Sequence, residues 1–225
     1  MTNFIAIEGL DGAGKSTQIR MIEQYLQQQG KRTQCLHFPR VDVGIWGDLV
    51  ARFLRGDLGK INDVHPYLVA LVYAEDRRAA APLIQQWINE NYFVIIDRYV
   101  YSNIAYQCAK TSNDAECSAL RDWILHLEYE EFGIPKPQKC LFLDVPSTFT
   151  KATLQQQRTG DERAYLQGKQ DIHEASLDFQ QQVRKVYLQQ ASLDPQFHVI
   201  SCIEEHTNAM ASCEKTFEKI KLLLN

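Results

Sequence analysis

Nine residues near the start of the chain, Gly9-Leu10-Asp11-Gly12-Ala13-Gly14-Lys15-Ser16-Thr17, narrow the possible folds more than any other stretch. They fit G-x-x-x-x-G-K-[ST], and they stand where that pattern has mechanical meaning. The apolar run Phe4-Ile5-Ala6-Ile7-Glu8 precedes them, and Ile19, Ile22 and Leu26 follow on one helical face. The glycines let the backbone curl so that successive N–H groups point inward, and the helix N-terminus adds partial positive charge. Such a loop is a cradle for the phosphates of a nucleotide such as ATP. Lys15 is expected to bridge the β- and γ-phosphates, and Ser16 to hold Mg²⁺ through its hydroxyl, with Thr17 as a neighbouring donor.

Four further runs read as strands: Arg32 to Phe38, Tyr92 to Asp97, Cys140 to Val145 and His198 to Cys202. They are apolar throughout, which predicts strands buried on both faces, and helical patterns such as Tyr67 to Arg78 and Pro82 to Asn89 lie between them. The predicted architecture is a three-layer α/β/α fold of the P-loop NTPase kind. It has a five-stranded parallel sheet with helices on both faces. Met210, Cys213, Phe217, Ile220 and Leu224 predict one buried stripe on a last helix. The stretch from Gln155 to Lys169 has no apolar period and predicts a mobile lid at about 155–170. At 225 residues, one domain spanning 1–225 is expected.

Composition excludes several classes of function. A net charge of −4 lacks the diffuse positive field that gathers nucleic acid, so basic groups acting on phosphate must be focused in a cleft. No apolar run approaches the roughly 20 residues that cross a bilayer. Met1-Thr2-Asn3-Phe4 lacks the features of a secretory leader, and a cytoplasmic location is expected. The six cysteines form no C-x-x-C pair, which predicts reduced thiols and no zinc site.

The third strand ends in Asp97-Arg98-Tyr99. A carboxylate leaving the sheet beside a P-loop suits Mg²⁺, directly or through water, and Arg98 next to it reaches a second phosphate group. No N-K-x-D follows a later strand, so a guanine-nucleotide switch is disfavoured. Ile7-Glu8-Gly9 with Asp11, Phe38-Pro39-Arg40 and Tyr73-Ala74-Glu75-Asp76-Arg77 then form an ordered series. Asp97 to Gln107 and Gly133-Ile134-Pro135-Lys136-Pro137 continue it. Together these motifs resemble the thymidylate kinase family, from the first strand past the fourth.

The resemblance implies transfer of the ATP γ-phosphoryl group to dTMP, with Mg²⁺, in a homodimer formed through helices flanking the sheet. It implies that Asp11 contacts the sugar 3′-hydroxyl, that Arg40 and Arg98 clamp the acceptor phosphate, and that Phe38 belongs to the dTMP site. Tyr73 would stack on thymine, with Arg77 a donor to its O4 and Asn103 a reader of the base edge. Tyr106 would exclude a ribose hydroxyl, helped by Gln107. One branch of the family carries an arginine where this chain has Gly12, so the missing charge is expected from the lid. Arg158, Arg163 and Lys169 are the candidates, with Asp171 and Glu174 beginning the next helix and orienting it. Two rivals stay open at this point: a deoxynucleoside kinase, which needs a carboxylate base, and an assembly ATPase, in which the aromatic residues only pack.

Overall fold

A computed structural model describes residues 3–146, 149, 161–169, 171–173, 176–204, 207 and 209–224. Five strands, β1 (Phe4–Gly9), β2 (Thr33–His37), β3 (Phe93–Asp97), β4 (Lys139–Asp144) and β5 (Phe197–Ser201), pair in parallel in the order β2-β3-β1-β4-β5. The helices are α1 (Lys15–Gln28), α2 (Gly44–Leu54), α3 (Pro66–Asn89), α4 (Val100–Cys108), α5 (Asp114–Leu125), α6 (Leu177–Leu193) and α7 (Cys213–Lys221).

Side-chain alternation along β1 sorts these helices into layers. Ile5 and Ile7 join Ile19, Ile22 and Leu26 of α1 and Ile220 of α7. Phe4 and Ala6 face the other way, into a core with Ile84 of α3, Ile104 of α4 and Val183 of α6. The three-layer α/β/α expectation is met. Burial on both faces holds for β1 and β3, whereas β2 and β5 alternate or lie half-exposed. They are the edge strands, and pairing order rather than composition decides that.

Other expectations change in detail. Tyr67–Arg78 and Pro82–Asn89 are one helix, α3, running through Pro82. The carbonyl that Pro82 leaves without a donor belongs to Arg78, which is exposed and can meet water, while Ala80 and Ile84 keep both sides packed. In the terminal stripe Ile220 and Leu224 are buried, but Cys213 is exposed and Met210 precedes the helix in a bridge to Ile203. Asp171 does not begin a helix: α6 starts at Leu177, capped by the Ser176 side chain on the Phe179 N–H, and Glu174 lies outside the described residues. All six cysteines are free.

The C-terminal part of the predicted lid is docked, not loose. Asp161–Leu166 forms a 3-10 helix with Leu166 buried, and Arg55 Nη1 donates to the Tyr165 carbonyl at 2.9 Å. The Ile172 N–H donates to the Leu54 carbonyl at 3.1 Å, so this strap rests on the end of α2. No described helix is long and apolar enough to cross a membrane.

Candidate active site

The carboxyl ends of the strands, where open parallel sheets bind ligands, carry most of the predicted residues. Ile7 of β1 lies in register with Asp97 of β3, so the loop after β1 and the turn after β3 emerge side by side. In the first, Gly12 (φ 77°) and Gly14 (φ 86°) take left-handed backbone conformations that side chains resist, and Gly14 is the N-cap of α1. Lys15 opens that helix. Its Nζ donates to the Gly9 carbonyl at 3.2 Å and the Leu10 carbonyl at 3.1 Å, inside the ring of the loop. Burial pulls the ammonium down from its ordinary value, as does Arg98, while Asp97, Asp11 and Glu8 hold it up.

Arg98 also has a positive φ, 66°, a strained state for a residue with a long side chain. Two bonds hold it there: its N–H donates to the Ile7 carbonyl at 2.9 Å, and Nη2 donates to Asp11 Oδ1 at 2.9 Å. Desolvation works against the guanidinium charge, but Asp11, Tyr106, Tyr187 and Asp97 together outweigh it and keep the group protonated far above its ordinary range. Beneath this turn, fully buried Glu8 accepts from the Tyr99 N–H at 2.9 Å, Ser102 Oγ at 2.5 Å and the Tyr187 hydroxyl at 3.1 Å. It ties β1 to α4 and α6 and so fixes where Arg98 points. Burial raises the Asp97 carboxyl, but Lys15, His37 and Arg98 overcome that and leave it below its ordinary value. Asp97 Oδ2 meets His37 Nδ1 at 3.2 Å, whereas Oδ1 is buried without a hydrogen-bond partner.

A cavity of about 430 Å³ opens between these tips, α3, α4 and the strap. That is room for a small nucleotide. Ser16, Asp97, Arg98 and Asp11 line one end, and Phe38, Tyr73, Arg77 and Asn103 line the remainder with Tyr106 and Gln107. Tyr106 donates to Asp11 Oδ2 at 3.2 Å, and its ring lies 5.4 Å from the Arg98 guanidinium. Gln107 accepts from Lys110 Nζ at 2.8 Å, a lysine that burial brings down to about 7.

At the far wall, Arg77 of α3 donates through Nε (2.5 Å) and Nη2 (2.7 Å) to Glu128, which is fully buried. Asn103 Nδ2 donates to both the Ala70 carbonyl and Glu128 Oε1, each at 3.0 Å. That leaves Asn103 Oδ1 buried with no partner in a residue that lines the cavity.

Two predicted residues sit elsewhere. Arg40 is not among the cavity walls: its N–H donates to Asp76 Oδ2 at 2.8 Å, Nε to Oδ1 at 2.9 Å and Nη2 to the Asp76 carbonyl at 2.7 Å. A buried carboxylate on α3 captures the fork, since a buried charge needs a hydrogen-bonding partner. Lys169 pairs with Asp57 at 2.6 Å on the surface, away from the P-loop. Asp171 does line the cavity, where it accepts from the Tyr165 hydroxyl and the His173 N–H. Arg158, the Arg163 side chain and Glu174 lie outside the described residues.

Nothing local in the sequence gives Glu128, Asp76 or His173 a role. Glu128 sits in the acidic segment His126–Glu131, a π-helical turn that reads as solvent-facing. His173 lies in a stretch without period, yet it is buried, its ring is 4.9 Å from Tyr106, and its Nε2 has no partner. Glu8 stands in the Ile7-Glu8-Gly9 motif, where the sequence gives it no role.

Known proteins resemble this chain in sequence and in fold. A family model described as thymidylate kinase matches residues 7–212. The thymidylate kinase of Mycobacterium tuberculosis is 32% identical over 189 residues, covering 84% of this chain and 85% of that protein. The human thymidylate kinase is 33% identical over 141 residues, covering 63% of this chain and 60% of that protein. Among solved structures, thymidylate kinase from Candida albicans has a TM-score of 0.73 at 22% identity, covering 99% of this chain and 91% of that one, a likeness of fold. A family match over most of the length, joined to a P-loop beside Asp97-Arg98 and a walled cavity at the strand ends, means that this chain belongs to the thymidylate kinase family.

Proposed function

We infer that this chain transfers the γ-phosphoryl group of ATP to dTMP, giving dTDP, and that the cavity at the strand ends receives dTMP. The observation that carries the choice of acceptor is the far wall. Arg77 and Asn103 both line it, Arg77 as a donor, and Asn103 Oδ1 is a buried acceptor lacking a partner. A thymine edge offers O4 as acceptor beside N3–H as donor, and satisfies both. Cytosine offers the reverse, an amino donor beside a bare N3, and sets like against like.

The acceptor phosphate has its second pKa near 6 and is largely dianionic at neutral pH, so its oxygen attacks without a base. What the site must do is hold two anions together in line. Lys15 and the P-loop N–H groups would hold the donor phosphates. Arg98 would fix the acceptor phosphate, with Arg40 contributing the Nη1 that Asp76 leaves over. Asp11 would take the sugar hydroxyl while it orients Arg98. Buried Asp97 Oδ1 and the Ser16 hydroxyl on the same wall fit Mg²⁺, which ordinarily keeps several waters and needs one or two protein oxygens. The ion would neutralise charge on the β- and γ-phosphates. Arg158 or Arg163 would complete the charge from the lid, and Glu174 would help to orient it. A homodimer and a cytoplasmic location belong to the same reading. The homodimer draws support from apolar residues left exposed at the start of α2 and on α3, Ile45 (75%) and Leu68 (60%), and sedimentation velocity would decide it.

A coupled assay over dTMP, dUMP, dCMP, dAMP and thymidine tests the function. The expected result is a kcat/KM for dTMP at least about a hundredfold above that for dCMP, because a buried polar group left unpaired is a strong rejector. Phosphorylation of thymidine in preference to dTMP would instead identify a deoxynucleoside kinase, and ADP release indifferent to every acceptor an assembly ATPase.

Tyr106 gives a second prediction. Its ring is packed between His173 and Arg98, and its hydroxyl is spent on Asp11, so it can exclude a ribose hydroxyl only by filling space. Tyr106→Ala is expected to raise UMP relative to dTMP by about tenfold, the scale of a lost steric contact. An unmoved ratio of kcat/KM values would make Tyr106 a packing residue.

A further inference from the structure

We propose that Glu128, which does not line the cavity, is the positioning residue that sets base specificity, by fixing which hydrogen-bonding groups Arg77 and Asn103 present to the acceptor. The proposal rests on the reading that these two residues face the base of dTMP.

An asparagine amide is ambiguous until its neighbours choose its orientation. Here Nδ2 lies between two acceptors, the Ala70 carbonyl and Glu128 Oε1, each at 3.0 Å. Turning the amide over would set Oδ1 against both. The carboxylate therefore forces Oδ1, the acceptor, to be the atom without a partner. The same Oε1 accepts from Arg77 Nη2 at 2.7 Å, and Oε2 accepts from Nε at 2.5 Å. This occupies one edge of the guanidinium and leaves Nη1 as its remaining donor nitrogen. One buried anion thus sets the sign of both groups, and the pair reads acceptor-next-to-donor in its ligand.

Stability alone is a weak reason for this arrangement. A buried ion pair seldom outperforms apolar residues of the same volume, because both charges must be desolvated. Glu128 is also presented by a π-helical turn, His126–Glu131, and such turns are rare and cluster at functional sites. The turn is closed by the Ile134 N–H on the Glu128 carbonyl at 3.1 Å, which ties the residue to the Gly133-Ile134-Pro135 segment.

Two variants test the proposal. In Glu128→Gln an amide nitrogen at the Oε2 place faces Arg77 Nε, and one at the Oε1 place faces both Arg77 Nη2 and Asn103 Nδ2 and releases the Asn103 amide to turn Nδ2 outward. Glu128→Asp keeps the charge that balances Arg77 but withdraws it from Asn103 by one methylene, so this variant is expected to fold. For each, thermal unfolding is recorded, and kcat/KM is measured with dTMP and with dCMP. The expected result is a dTMP-to-dCMP preference at least about tenfold below wild type, with dTMP losing more than dCMP. An equal loss for both nucleotides, an unchanged preference in folded Glu128→Asp, or failure of that variant to fold would each overturn the proposal and assign Glu128 to the core. Absence of any dTMP preference in the wild-type chain would instead overturn the reading of the base wall, and the proposal with it.

Discussion

Replacing Lys15 by alanine is expected to leave the chain folded and to lower kcat for phosphoryl transfer by about a thousandfold or more. Removal of a single preorganised donor to developing charge costs about 10²–10³ in turnover, and here the group lost is a full cation in a closed loop. Lys15 is largely buried, but its partners are the Gly9 and Leu10 carbonyls of the phosphate loop, not the core. Losing two such bonds costs about 1–3 kcal/mol, offset in part because alanine is the best helix former at the first position of α1. Thermal unfolding and a coupled assay on the same preparation check both halves. Turnover within about tenfold of wild type in a folded variant would remove the P-loop from the chemistry and with it the proposed mechanism.

The second large effect is expected in the lid. Gly12 carries no side chain, so a charge on the γ-phosphate must come from another part of the molecule. Lys169, one of three candidates, is committed to Asp57 on the surface. The strap formed by Asp161–Leu166 is anchored to α2 through Arg55, so the chain approaches the cavity from that side. Arg158 and Arg163 then remain as the proposed source within the chain. An arginine supplied to a transferring phosphoryl group is worth about 10³–10⁵ in turnover, and it acts on charge that exists mainly in the transition state. The double variant Arg158→Ala/Arg163→Ala is therefore expected to lose kcat on that scale while KM for dTMP changes little. The single variants say which arginine acts, with Arg163 expected to carry more of the effect. A double variant within about fivefold of wild type would make the lid a cover only and send the search for the charge to a second subunit.

Much of this molecule was readable from local pattern, and the reasons are local too. A strand, a glycine-rich turn with positive φ at Gly12 and Gly14, and a helix opening on Lys15 are each specified within a few residues, so the phosphate loop needs no distant partner. The apolar runs located all five strands to within a residue or two, because burial period is written along a single segment. Asp97-Arg98 was visible for the same reason, as the tip of a buried strand.

The wall that selects the base was not readable, because its logic lies between segments. Arg77 and Glu128 are 51 residues apart, and Asn103 and Glu128 are 25 apart, so only the packing of α3 and α4 against the turn after α5 brings them together. Nothing in His126–Glu131 distinguishes a buried glutamate from its exposed neighbours. Asp76 captured Arg40 by the same kind of contact, 36 residues away. By itself the sequence determined the phosphate loop, the parallel strands, the helices that cover them and the family, since each depends on short-range backbone preference and side-chain period. The tertiary structure alone decided which strands are edges, which arginines line the cavity and which atoms of Asn103 and Arg77 are left for a ligand. Hydrogen-bond polarity in a buried site is settled by whichever charged group the fold places behind it.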